Sequence, residues 1–371
     1  MYTHNGRISM HQFKILLTLQ MFNMSILILP RVAAKVVGQD GYWLPIFGFF
    51  LGSLYIFAIT GLTNRFRGKS FVEYSQTILS KPIGTLLSIV FLIKILISTG
   101  FELRLFAEMI GQVLLPNTPL PVIILLMLFS VYYLVKSGME AQGRMAEILA
   151  YFVFVPVVLV ALLIMFKADY QQLLPMFRWE PEETLKGSFF VSITYMPLEF
   201  VLVLGAFVNR PKQIRKCCFF ALGVITFLEV VIIIITFTGI GTIETARELW
   251  PVLTLMESIQ LPGSFIENQE VIMMAWWIMS VFMYISGGLY VSSLLGSNIC
   301  KFERENITAL PLVPIVFLIA VLPNGVVNSY QSFVYFQGTF GVVFLFFVPL
   351  FMWIISVLRK VGGDNEPENA Q

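Results

Sequence analysis

The stretch "C-C-F-F-A-L-G-V-I-T-F-L-E-V-V-I-I-I-I-T-F-T-G", Cys217 to Gly239, holds a single carboxylate in a run long enough to cross a bilayer. Similar runs recur along the whole chain. A helical span needs about 20 apolar residues. Inside lipid every backbone N–H and C=O must be paired within the protein. Composition agrees: 57% of the 371 residues are hydrophobic and 12% are charged, against roughly 25% charged in soluble domains. Mean hydropathy is +0.83. The sequence is that of an all-α polytopic membrane protein. A net charge of +2 provides no basic field for nucleic acid. The cysteines Cys217, Cys218 and Cys300 have neither a disulfide pattern nor ligand spacing, so no metal site is expected. The first apolar stretch lacks a small-residue cleavage site and reads as a retained span.

Counting runs of this length predicts about ten transmembrane helices, near residues 11–36, 42–64, 83–113, 120–137, 143–166, 187–208, 216–239, 269–299, 309–322 and 334–358. The fourth and ninth are short; the third and eighth are long enough to tilt or project. A short amphipathic helix between Phe71 and Leu79 is expected on the membrane surface. With the N-terminus in the cytoplasm, about sixteen Lys and Arg fall on inner loops and about six on outer ones, as the positive-inside rule requires. Both termini are then cytoplasmic. Residues 1–361 form one transmembrane domain, and 362–371 a disordered cytoplasmic tail.

Two spans are interrupted. The first carries "Q-M-F-N-M-S-I-L-I-L-P-R", with Asn23, Ser25 and Pro30 in apolar surroundings; the sixth carries "I-T-Y-M-P-L-E-F", with Pro197 near its middle and Glu199 two residues on. They open two halves, about 9–166 and 185–358, and five spans per half make a five-plus-five inverted repeat. Paired broken helices 1 and 6 point to a binding site near the midplane. A break frees N–H groups at the start of the second half-helix, which favour an anion, and carbonyls at the end of the first, which favour a cation. The ligand-binding candidates are Asn23, Met24, Ser25 and Ile26 in the first span, with Tyr195, Met196, Pro197 and Glu199 in the sixth.

Charge inside lipid is costly and faces a partner or a cavity. In "K-I-L-I-S-T-G-F-E-L-R-L-F-A-E-M", Lys94, Ser98, Glu102, Arg104 and Glu108 share about half of the helix circumference. Arg104 and Glu108, four apart, can pair; Glu102 is free to face another helix or a ligand. Lys94, Arg104 and Glu108 are the expected intramembrane charge network. Glu229 reads as a structural acid. The histidines His4 and His11 are both N-terminal, and no phosphate-binding loop or other enzyme signature is present. No cofactor is expected. Gly287 and Gly288, with Ser286, Ser292 and Ser293, read as close helix packing, and otherwise as a cation site.

Three stretches together resemble a known family: "S-I-L-I-L-P-R" in the first span, "F-E-L-R-L-F-A-E-M" in the third, and "W-P-V-L-T-L-M-E-S-I-Q-L-P-G-S-F-I-E-N-Q-E" from Trp250 to Glu270. They resemble the B subunit of the endospore nutrient germinant receptors, of the amino acid–polyamine–organocation superfamily, over nearly the whole chain. The resemblance implies ten spans with inverted repeats and a place in the spore inner membrane. It implies a small nutrient ligand, often an amino acid, and partnership with an A subunit and a lipoprotein C subunit. By position it puts the pocket at the two breaks, walled by spans three and eight, which adds Phe101 and Glu102 to the candidates. Asn23-Met24-Ser25 replaces the small residues many relatives carry at the first break, and Asn268 stands where they often have Arg. Two functions stay open at this point: a sensor without turnover, and a proton- or cation-coupled amino acid transporter with Glu102 or Glu199 as proton carrier. A contribution to an ion path is a third.

Overall fold

Long apolar runs have only the helix available to them in lipid. A computed structural model of the chain describes residues 7–23, 25–166, 168–175, 177–178, 180–258, 269–302 and 307–363. His4, Met24, Asn268 and most of the polar tail lie outside the described residues, and Ser25 is described by its backbone alone.

Among the described residues the regular structure is helical: α1 (Met10–Met21), α2 (Ser25–Val37), α3 (Trp43–Arg65), α4 (Phe71–Ile78), α5 (Lys81–Val113), α6 (Leu120–Lys136), α7 (Met139–Met165), α8 (Pro181–Ser192), α9 (Val201–Leu204), α10 (Ile214–Ile240), α11 (Thr242–Arg247), α12 (Pro251–Ser258), α13 (Gln269–Cys300), α14 (Ala309–Val321), α15 (Val326–Phe336) and α16 (Val348–Leu358). Seven stretches are long and apolar enough to span a membrane, and α6 and α14 are shorter apolar helices. One stretch, Ile26–Arg65, contains both α2 and α3, so these nine stretches correspond to the ten expected spans. The protein is an all-α polytopic membrane protein.

Burial sorts the spans into centre and rim. The most apolar window of α13 is 83% buried, that of α7 only 17%. The lipid-facing side of α7 presents Tyr151, Phe152 and Leu159. Gly287 and Gly288 of α13 leave no room for a methyl group against Gln20 and Thr99; absent side chains let α1 and α5 close on α13.

The first span breaks as the sequence predicts. Ser9 and Gln12 form a capping box at the start of α1, and its end is closed by the Phe22 amide on Thr18 and Leu19. α2 then restarts at Ser25, with the Ile26 amide on the Asn23 carbonyl at 3.3 Å. The sixth span does something else. It does not unwind at Pro197; it tightens into a 3-10 helix over Ile193–Phe200 between α8 and α9. Proline has no N–H and its ring collides with the carbonyl four residues back. Pairing three residues apart relieves that conflict without a gap. So long a 3-10 run inside a helix marks a hinge or strain. The ends of the two spans meet where the Ile8 amide bonds the Phe207 carbonyl at 3.0 Å. In the last span two π-helical segments, Gln337–Gly341 and Val343–Phe347, separate α15 from α16.

α4 corrects an expectation. It forms at the predicted place, behind a Ser70–Glu73 capping box, but Phe71, Val72, Tyr74, Ser75 and Ile78 are buried. The Tyr74 hydroxyl donates to the Leu202 carbonyl at 2.8 Å. Phe66 stacks on Tyr74 and Phe91 packs on Phe71, so the apolar face of α4 is covered by the protein itself and not by the membrane surface.

Candidate ligand cavity between the interrupted helices

A cavity of about 50 Å³ lies where the two interrupted spans face the last one. The first span contributes Asn23, Ile28, Leu29 and Val32; the 3-10 segment contributes Ile193, Thr194 and Met196. α5 adds Leu105, α13 adds Tyr284, and α15 with the π segment adds Tyr330, Phe333 and Gln337. At about 10–15 Å³ per water position, it has room for about three to five waters. Other hollows are larger. An apolar crevice of about 140 Å³ runs between the first span, α7, α10 and α13, and an open cleft of about 720 Å³ lies at the surface beside Lys35 and Asp40. The small cavity is partly polar, unlike the crevice, and is bounded by both interruptions, unlike either.

The predicted residues divide. Asn23 and Met196 line the cavity. Ile26 is buried but lines the apolar crevice. Phe101 packs its ring on Phe333 and Phe336 of α15, with centroids 6.1 and 6.3 Å apart. Glu102 is fully buried on α5. Tyr195 points away: its hydroxyl donates to Glu229 on α10 at 2.9 Å, and the Thr194 hydroxyl reaches the same carboxylate at 2.9 Å. Glu199 does not open into the cavity. Lys94 holds it, with Nζ 2.5 and 2.6 Å from the two carboxylate oxygens, and both side chains are buried.

The winding explains the split. At three residues per turn, side chains three apart are eclipsed. Ile193 and Met196 therefore share a face toward the cavity, while Tyr195 is rotated onto the face of α10.

The expected network of Lys94, Arg104 and Glu108 separates into two pairs. Lys94 belongs to Glu199. Arg104 pairs with Glu108 at 2.5 Å and donates to the Ala320 and Val321 carbonyls at 3.2 Å. A guanidinium on the free carbonyls of α14 satisfies groups the helix cannot pair and neutralises its negative end. That pair therefore braces α14 against α5.

Reading the sequence missed Gln337, Thr194 and Tyr284 as cavity residues. Gln337 carried a usable signal, since a carboxamide inside a span is costly unless paired or placed at a cavity. Asp40 was missed as well. It is buried in the turn after α2 and accepts the amides of Phe177 and Arg178 at 2.9 and 2.6 Å, which ties the segment before α8 to the first span.

The fold recurs in known proteins. A structure of Mhp1, a nucleobase-cation-symport-1 family transporter in a closed conformation with bromovinylhydantoin bound, superposes with a TM-score of 0.66 at 13% identity. The match covers 91% of this chain and 78% of that one. The spore germination protein YndE of Bacillus subtilis (strain 168) is 25% identical over 366 residues, 98% of this chain and 99% of the relative. Spore germination protein B2 of the same organism is 23% identical over 97% of this chain and 98% of its own. The sequence profile of the family described as "Spore germination protein" matches residues 7–328. With that match spanning the interrupted helices and most of the cavity wall, the chain belongs to the spore germination protein family, that of the germinant receptor B subunits.

Proposed function

We propose that this membrane protein of germination is the nutrient-sensing subunit of a spore germinant receptor. It takes a small nutrient, an amino acid, into the cavity beside the first break. The observation that carries this reading is the cavity between the two interruptions, bounded by Asn23 at the break and by the 3-10 segment that replaces a regular helix in the sixth span. The amides opening α2 suit a carboxylate. Binding acts only through a difference in affinity between two conformations, and the tightened segment beside a proline is a natural place for two windings. The A subunit and the lipoprotein C subunit receive the change, in the spore inner membrane, with both termini on the core side.

Replacing Val32 by Trp fills the cavity from α2. Spores carrying V32W are expected to lose the nutrient response with unchanged receptor abundance on immunoblots. A normal dose response would move the pocket elsewhere. The transporter-like fold favours a second reading, coupled amino acid uptake. Gradient-driven accumulation of labelled amino acid in vesicles containing the purified chain would establish it in place of sensing alone.

A further inference from the structure

Gln337 is the most exceptional polar group of the cavity. Its side chain is 1% exposed and lines the cavity wall. Neither its amide nitrogen nor its oxygen has a hydrogen-bond partner among the described residues. A buried carboxamide without partners costs about 1–3 kcal/mol, so most such groups are paired, and those that are not call for a reason. It opens a π-helical segment, and such segments cluster at functional sites. Gly341 secures its position. A Cβ there would come within 2.6 Å of both the Gln337 oxygen and the Met196 methyl, so the glycine leaves both groups the room they occupy beside the last span.

We propose that Gln337 reads the ligand from the last span: its carboxamide, without a partner among the described residues, accepts from the ammonium and donates to an oxygen of an amino acid bound beside the first break. This rests on the reading of the cavity as the nutrient pocket. The wall also defines the class of ligand. Among the described lining residues there is no Asp, Glu, Lys or Arg, so a net-charged solute would be buried without compensation. A zwitterion with a small neutral side chain is the chemistry that fits. A volume for about three to five waters favours glycine, alanine and serine over larger amino acids.

The test is calorimetric titration of the full-length chain in lipid nanodiscs with each of the protein amino acids, paired with thermal unfolding of the unliganded protein. Wild type is expected to bind a small neutral amino acid saturably and to ignore Asp, Glu, Lys and Arg. Gln337→Met keeps the shape and removes both polar atoms. It should weaken binding about ten-fold or more while leaving the unliganded melting temperature equal or higher, since it deletes an unpaired buried amide. A purely structural glutamine would give the reverse, a lower melting temperature with unchanged affinity. Gly341→Ala should weaken binding in the same direction by pushing the carboxamide aside. An affinity of Gln337→Met within about two-fold of wild type, with binding abolished by Val32→Trp, overturns the role of Gln337 and leaves the cavity in place. Wild-type affinity in Val32→Trp overturns the cavity reading itself. No saturable binding of any amino acid by wild type overturns the ligand class.

Discussion

The two interrupted spans are secured in opposite ways. In the sixth, side chains of the 3-10 segment are tied to other helices: Glu199 to Lys94 on α5, Thr194 and Tyr195 to Glu229 on α10. In the first, the buried Gln20 just before the break has no partner for either amide atom among the described residues, and the Ile26 amide bonds the Asn23 carbonyl across the break at 3.3 Å. A proline alone does not open a helix when charged partners can hold a tighter winding in its place. Among the described residues the first span shows no such charged pair, and there the chain separates into two helices.

The largest effect should come from the ion pair. Removing one partner of a buried pair leaves an uncompensated charge and costs about 3–5 kcal/mol. Glu199→Gln and Lys94→Met should each lower the melting temperature of the purified protein sharply, whereas Lys94→Met with Glu199→Leu should recover most of the loss. Equal destabilisation by the double variant would show that the charges matter for more than each other. A smaller loss, about 1–3 kcal/mol, is expected for Glu229→Leu. That change strips the Tyr195 hydroxyl of its best acceptor; Thr194 keeps the Val191 carbonyl at 2.7 Å. An unchanged melting temperature would mean that the sixth span is held by packing, and would erase the contrast with the first.

The sequence showed helix positions well because lipid leaves few options. The span expected at 216–239 is Ile214–Ile240, and the one at 83–113 is Lys81–Val113. Two starts were read late for one reason. α8 begins at Pro181, through Glu182, Glu183 and Lys186, and α15 begins at Val326, through Asn328 and Gln331. These polar turns extend apolar spans past the point where composition looks membranous. The cavity was legible in part. Asn23 and Met196 followed from the interruptions, but periodicity at 100° per residue cannot foresee a 3-10 winding that turns Tyr195 onto α10. Nor can it choose partners 105 residues apart such as Lys94 and Glu199. Gln337 needed the π segment that presents it.

Gln20 offers the finest cut between the two spans. Its side chain is 1% exposed, packed against Gly287 of α13, with both amide atoms unpaired among the described residues. If the first span is held by packing alone at this point, shape matters and polarity does not. Gln20→Met preserves the volume and removes a buried amide whose desolvation nothing offsets, so the melting temperature should stay level or rise, by up to about 1 kcal/mol of stability. Gln20→Ala should fall by about 2 kcal/mol or more, through the void left beside Gly287. A clear loss in Gln20→Met would show that the amide makes a stabilising bond when the protein is in its membrane. The first span would then be tied as the sixth is, and the difference in their winding would rest on Pro197 alone.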